Sequence, residues 1–229
     1  MLLAWRSLTS RGKFAVLHDR PPSHFQRTSP TDRNDLFQRI VPTITPPISE
    51  EWASSILSIS PQPNIFSPSG RPALMVSSTS WTADEDFSPL LTALDAYDKA
   101  SASGTTLPKL LVLITGKGAL RASFERAIDK REKTWESICV RCVFLPAEDY
   151  PTLLGCADLG VSMHSSSSGR DLPMKVVDMF GCGTPVLARD FAAIGELVKD
   201  GKNGRVWSSG EELGQQMIVR LSRMGRLLS

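Results

Sequence analysis

The sequence predicts a doubly wound parallel α/β domain, and three observations carry that prediction. From Ala73 onward, short apolar runs alternate with helical stretches. The runs are apolar throughout rather than at every second residue, so both faces of each strand are covered, as in a parallel sheet between helix layers. Strand–helix–strand alternation with right-handed crossovers then gives one sheet flanked by helices on both sides.

The predicted strands are Ala73–Val76, Lys109–Ile114, Ile138–Phe144, Leu159–Met163 and Pro185–Ala188. The predicted helices are Ser88–Ala102, Leu120–Lys133, Asp149–Cys156, Pro173–Phe180, Ala192–Lys199 and Glu211–Arg223. Ahead of them, Lys13–His18 reads as a strand, and Asp32–Ile40 as a short helix with Leu36, Phe37 and Ile40 on one face. Between Pro42 and Pro72 repeated prolines, with Ser and Thr between them, break any long helix or central strand. Only Ile48–Ile59, with Trp52, Ile56 and Ile59 at helical spacing, reads as a short amphipathic helix there; the segment as a whole reads as a surface excursion.

Composition narrows the function. The 229 residues carry a net charge of +2, with 41% apolar and 22% charged residues, as in an ordinary globular protein. That charge is too mild to imply nucleic acid, and no dense Lys/Arg run is present. The apolar stretches fall far short of the roughly 20 residues needed to cross a bilayer, and Met1–Trp5 is too short for a signal-peptide core. Of the four cysteines, Cys139 and Cys142 form a C-x-x-C. They lie inside a strand, where odd spacing points them to opposite faces, so a buried structural role is expected rather than zinc or redox chemistry. No metal site and no disulfide are expected.

In such a sheet, ligands bind beyond the carboxyl ends of the strands. The loop after the first strand holds Ser77–Thr82, including Ser80, and the loop after the second holds Gly116-Lys117-Gly118. The second lets backbone approach a ligand closely, with Lys117 adding charge, but a plain tight turn explains it equally well. It is not the dinucleotide fingerprint, because Arg121 stands at the third glycine position.

The loop after the fourth strand runs His164–Gly169 into a helix. Serine hydroxyls and free amides there, with Ser167, Ser168 and Gly169, make an anion cradle. Pro173 fits the first helical position. Lys175 in the first turn opposes the helix dipole unless an anion compensates, which argues for a phosphate. Asp178, three residues on, shares a face with Lys175 and has the acceptors to clasp a ribose diol. An exposed Lys175–Asp178 ion pair is the alternative reading. His164 is a candidate general base, with a hydrogen-bonded pocket histidine as the alternative.

The order of these features, closed by Gly181-Cys182-Gly183-Thr184-Pro185-Val186 and Glu196-Leu197-Val198-Lys199-Asp200-Gly201-Lys202-Asn203-Gly204, resembles the donor half of GT-B glycosyltransferases. More narrowly, Ser78-Thr79-Ser80-Trp81-Thr82 with Asp84-Glu85-Asp86-Phe87, and the run Leu172-Pro173-Met174-Lys175-Val176-Val177-Asp178-Met179-Phe180-Gly181-Cys182, resemble the chitobiosyldiphosphodolichol β-mannosyltransferase family. The resemblance extends from about Phe14 to Trp207. It implies a Rossmann-like nucleotide-sugar domain over residues 73–229, truncated at its C-terminal end. Residues 42–72 are then an inserted loop, and residues 1–41 the remnant of an inter-domain hinge with a short helix.

The resemblance also implies transfer of mannose from GDP-mannose to dolichyl-diphosphate chitobiose on the cytosolic face of the endoplasmic reticulum, with no cofactor beyond the donor itself. Related enzymes use an E-x7-E motif; here Arg170 and Asp178 occupy its two places, so that Asp178 can keep the ribose role while Arg170 cannot play the part of the first Glu. The acceptor is expected to sit on an absent half, so that the chain alone binds donor without turnover. Pairing with other mannosyltransferases of the same pathway is a further expectation. The competing readings are an inactive pseudoenzyme or interaction module retaining the fold, and another nucleotide-dependent enzyme such as an epimerase or NAD dehydrogenase.

Overall fold

A computed structural model describes residues 18–58, 71–82, 85–166 and 170–226. The predicted strand at Lys13–His18 and the Ile59 end of the short amphipathic helix lie outside those residues, as do Ser167, Ser168 and Gly169. The helices are α1 (Pro30–Ile40), α2 (Glu50–Leu57), α3 (Ser88–Ala102), α4 (Arg121–Glu132), α5 (Asp149–Cys156), α6 (Met174–Gly181), α7 (Ile194–Leu197) and α8 (Gly210–Arg226). The strands are β1 (Ala73–Ser78), β2 (Leu110–Thr115), β3 (Ile138–Val143), β4 (Leu159–Ser162), β5 (Val186–Arg189) and β6 (Gly204–Trp207).

All strand pairs are parallel, in the order β3-β2-β1-β4-β5-β6. The order reverses between β1 and β4, which opens a crevice at their carboxyl ends. On one face of the sheet Ala73, Met75, Leu110, Val112 and Ile114 pack under α3, α4 and α8. On the other, Leu74, Val76, Leu111 and Leu113 pack under α1, α2, α5, α6 and α7. Alternate residues of each strand therefore serve opposite cores, which is why the runs had to be apolar throughout. Cys139 and Cys142 divide between the two cores in the same way, and all four cysteines are buried and free.

Three sequence expectations need correction. Residues 42–72 are not wholly a surface excursion, because Ile44 and Ile56 are buried together with Leu36, Phe37 and Ile40 in the second core. Helices α1 and α2 thus belong to the same domain, supplying a helix layer the sheet needs. Strand β6 was not anticipated: only Trp207 of its four residues is fully buried, so the apolar signal is weak. Helix α1 begins two residues before Asp32, because the Ser29 hydroxyl accepts the Asp32 N–H at 3.1 Å and Pro30 fits the first turn.

The seam between β1 and β4 is fastened at the opposite, amino-terminal end of the sheet. Arg71, just before β1, grips Asp158, just before β4, through two bonds of 2.8 and 3.0 Å. Asp158 also accepts the Leu74 N–H at 2.8 Å. The pair is buried, and such a charge pair is sustained only with this degree of hydrogen bonding. It holds the two strands whose far ends form the crevice.

Candidate functional site

Three segments converge at the carboxyl edge of the sheet. The first is the loop from β1 to α3. Trp81 adopts a left-handed backbone, φ 53°, which is costly for a bulky residue. Its ring is buried and stacks on Phe87 at 4.9 Å and lies 5.3 Å from Phe124, offsetting that cost. The turn places the Ser80 N–H and the Thr79 hydroxyl toward Glu85, whose Oε2 accepts both, the first at 2.8 Å. Thr79 Oγ1 in turn accepts the Trp81 N–H at 2.8 Å. Asp86 then starts α3 by accepting the Ser88 N–H at 2.9 Å.

The second segment is the Gly-Lys-Gly turn after β2. A Cβ at Gly116 would lie 1.8 Å from the Thr79 carbonyl oxygen, and one at Gly118 would lie 2.1 Å from that of Ser80. Both glycines are therefore required by close approach to the chain's own backbone. Lys117 turns away, its ammonium 3.7 Å above the Phe144 ring.

The third segment is α6, whose capping residue is Pro173 rather than its first helical residue, as the sequence had placed it. Pro173 itself has no side chain that can cap this helix end, and the Val176 N–H turns back to the Pro173 carbonyl at 2.9 Å. Lys175 reaches from the first turn to Glu85 Oε1 at 3.0 Å, and lies 3.5 Å from Ser80 Oγ. The exposed Lys175–Asp178 pair is thus not what forms: the ammonium's carboxylate partner is Glu85.

Burial alone would push the Glu85 carboxyl up. The Thr79 hydroxyl, Lys175 and the Ser80 N–H outweigh it and hold the group below its ordinary value. Asp178 behaves oppositely: partial burial raises its carboxyl, with His24 opposing the shift. Among the described residues no hydrogen-bond partner occupies its carboxylate. Nearby, burial pushes the Tyr150 phenol up to about 12, and that hydroxyl meets Ser78 Oγ at 3.0 Å at the end of β1. His164 follows β4, packs edge-on against Phe191 at 5.8 Å, and has a buried Nε2 without a partner among the described residues.

Ser80, Gly116, Gly118 and Lys175 therefore come together around the β1–α3 loop. Lys117 is displaced toward Phe144, and Asp178 lies one turn deeper on α6. Ser166 Oγ accepts the N–H groups of Arg170 and Asp171 at 3.1 and 3.2 Å. Glu85 is the buried carboxylate of this cluster, which sequence reasoning did not single out; its only signal was an acidic run, Asp84-Glu85-Asp86, with nothing to mark Glu85 as buried. Among the described residues no group of three or more His, Cys, Asp or Glu could hold a metal ion, and no helix is long and apolar enough to cross a membrane.

Comparison with known proteins agrees with this architecture. Anabaena HepE, solved in complex with UDP-glucose, superposes with a TM-score of 0.58 at 16% identity, over 92% of this chain and 50% of that one; this is a likeness of fold. A mouse chitobiosyldiphosphodolichol beta-mannosyltransferase is 44% identical over 91% of this chain and 44% of its own length. A protein of that name from Candida albicans is 51% identical over 65% of this chain and 31% of its own length. An Arabidopsis thaliana relative named UDP-glycosyltransferase TURAN is 41% identical over 89% of this chain and 49% of its own length. The chain thus spans about half the length of the curated relatives it matches. The family described as glycosyl transferases group 1 matches residues 77–223, the stretch that carries the crevice, α6 and Lys175, and the chain belongs to that family.

Proposed function

We propose that this chain binds the nucleotide-sugar donor for mannose transfer from GDP-mannose to dolichyl-diphosphate chitobiose. The observation that carries the reading is the Lys175 ammonium, held at the start of α6 where the strand order reverses. A helix start and a fixed cation together suit a diphosphate. The Asp178 carboxylate, one turn along, suits the ribose hydroxyls as acceptor. The names of the relatives support mannose and the dolichol-linked chitobiose acceptor, and the reaction then belongs on the cytosolic face of the endoplasmic reticulum.

His164 follows β4, whose carboxyl end borders the crevice, and its buried Nε2 has no partner among the described residues. It is a sugar contact in this reading. Lys117 contributes longer-range positive charge, since its ammonium is engaged with Phe144.

Calorimetric titration of the 229-residue chain with GDP, UDP and NAD tests the reading. GDP is expected to bind most tightly, with GDP-mannose competing for the same site. Equal or tighter binding of UDP removes the guanine assignment. Binding of NAD in preference to both diphosphates removes the donor assignment altogether.

A further inference from the structure

We propose that Glu85 is a positioning residue for the donor diphosphate, acting through Lys175 and the Ser80 loop; the proposal rests on the donor-site reading above. Three groups converge on its buried carboxylate: the Thr79 hydroxyl, the Ser80 N–H and the Lys175 ammonium. The side chain of Glu85 is only 4% exposed, that of Lys175 30%. The carboxylate is therefore the fixed member of the pair, and the ammonium the member that meets solvent and ligand.

A lysine left free in the first turn of α6 would be repelled by the helix dipole and would sample many rotamers. Glu85 removes both costs before any ligand arrives. It engages one ammonium proton and leaves the others for an incoming anion, with Ser80 Oγ close by. The same carboxylate shapes the β1–α3 loop, against which Gly116 and Gly118 pack.

A second negative charge beside a diphosphate would ordinarily oppose binding. Here the carboxylate is covered, and it is neutralised by the cation that stands next to the ligand. The gain in placement then exceeds the residual repulsion. A glutamine cannot substitute. If its carbonyl takes the Ser80 and Thr79 donors, its NH2 faces the ammonium; if it takes the ammonium, its NH2 faces the Ser80 N–H.

The test is a double-mutant cycle on GDP affinity, using the whole chain as wild type, Glu85→Gln, Lys175→Met and the double variant. Circular dichroism checks that each is folded. Glu85→Gln is expected to weaken GDP about tenfold, and the double variant to bind within about threefold of Lys175→Met alone, because the two act as a unit. Should Glu85→Gln fail to fold, Thr79→Val, which removes one donor from the carboxylate, is expected to weaken GDP in the same non-additive way. Wild-type affinity in the folded Glu85 or Thr79 variant, tighter binding, or fully additive losses overturn the proposal while leaving the donor site standing. A wild-type chain that binds no GDP overturns the donor-site reading, and this proposal with it.

Discussion

Lys175 and Glu85 are 90 residues apart in sequence, yet the ammonium lies 3.0 Å from the carboxylate. The contact bridges the β1–α3 loop and the start of α6, the two sides of the crevice.

Replacing the cation tests what it is for. Lys175→Met is expected to lower GDP affinity about 10- to 100-fold, as for a lost charge-assisted hydrogen bond, and to flatten the salt dependence of binding. It also strands a buried carboxylate. Because Lys175 is itself partly exposed, the stability loss is expected to be about 1–2 kcal/mol rather than the larger figure for a fully buried pair. Calorimetry at two salt concentrations and thermal unfolding measure both.

Asp178 should show function and stability pulling apart. Its carboxyl is raised above the ordinary 3.8, so the folded chain holds that proton more tightly than the unfolded chain. Above that window the charged form weighs against folding. Asp178→Asn is therefore expected to leave the melting temperature unchanged or slightly higher at pH 7. It should weaken GDP binding about 10- to 100-fold, through loss of a charged acceptor for the ribose. A lower melting temperature together with unchanged GDP affinity would contradict both halves.

The Glu85 pair has a definite pH signature. Its folded-state value lies below the ordinary 4.5, so its contribution to stability is full above that value and is lost as pH falls through the depressed one. Wild type is expected to be more stable than Glu85→Gln at pH 7, with the difference shrinking as pH falls below the ordinary 4.5. Denaturant melts at pH 7, 5 and 3.5 read it; a constant difference across them would contradict the pairing.

Gly116 and Gly183 both have positive φ, at 143° and 67°, but differ in surroundings. Nothing lies within 4 Å of a Cβ at Gly183, whereas one at Gly116 overlaps the Thr79 carbonyl. Gly183→Ala is expected to cost about 1 kcal/mol, and Gly116→Ala about 3 kcal/mol or more, with GDP binding lost as the Thr79–Ser80 backbone is displaced. Urea denaturation of the two variants separates backbone conformation from steric overlap.

The cysteines should be silent. Burial pushes Cys139 and Cys142 up to about 12 and Cys156 and Cys182 up to about 11. Native protein at pH 8 is expected to resist iodoacetamide at all four, and to react once unfolded in guanidinium. Rapid alkylation of the native chain would show that Cys139 and Cys142 do not lie in the two cores.

The sequence by itself determined the parallel α/β class, five of the six strands and the existence of α6 with Lys175 and Asp178 upon it. Those features rest on local periodicity and helix-end chemistry, which neighbouring residues encode. Only the tertiary structure decided which carboxylate Lys175 meets, because strand order brings the loop after β1 beside a helix 90 residues later. It likewise decided that Gly116 and Gly118 accommodate the chain's own backbone, that Lys117 turns to Phe144, and that α1 and α2 close the second core. Charge pairing and close approach depend on distances between segments, and no spacing along the chain records those distances.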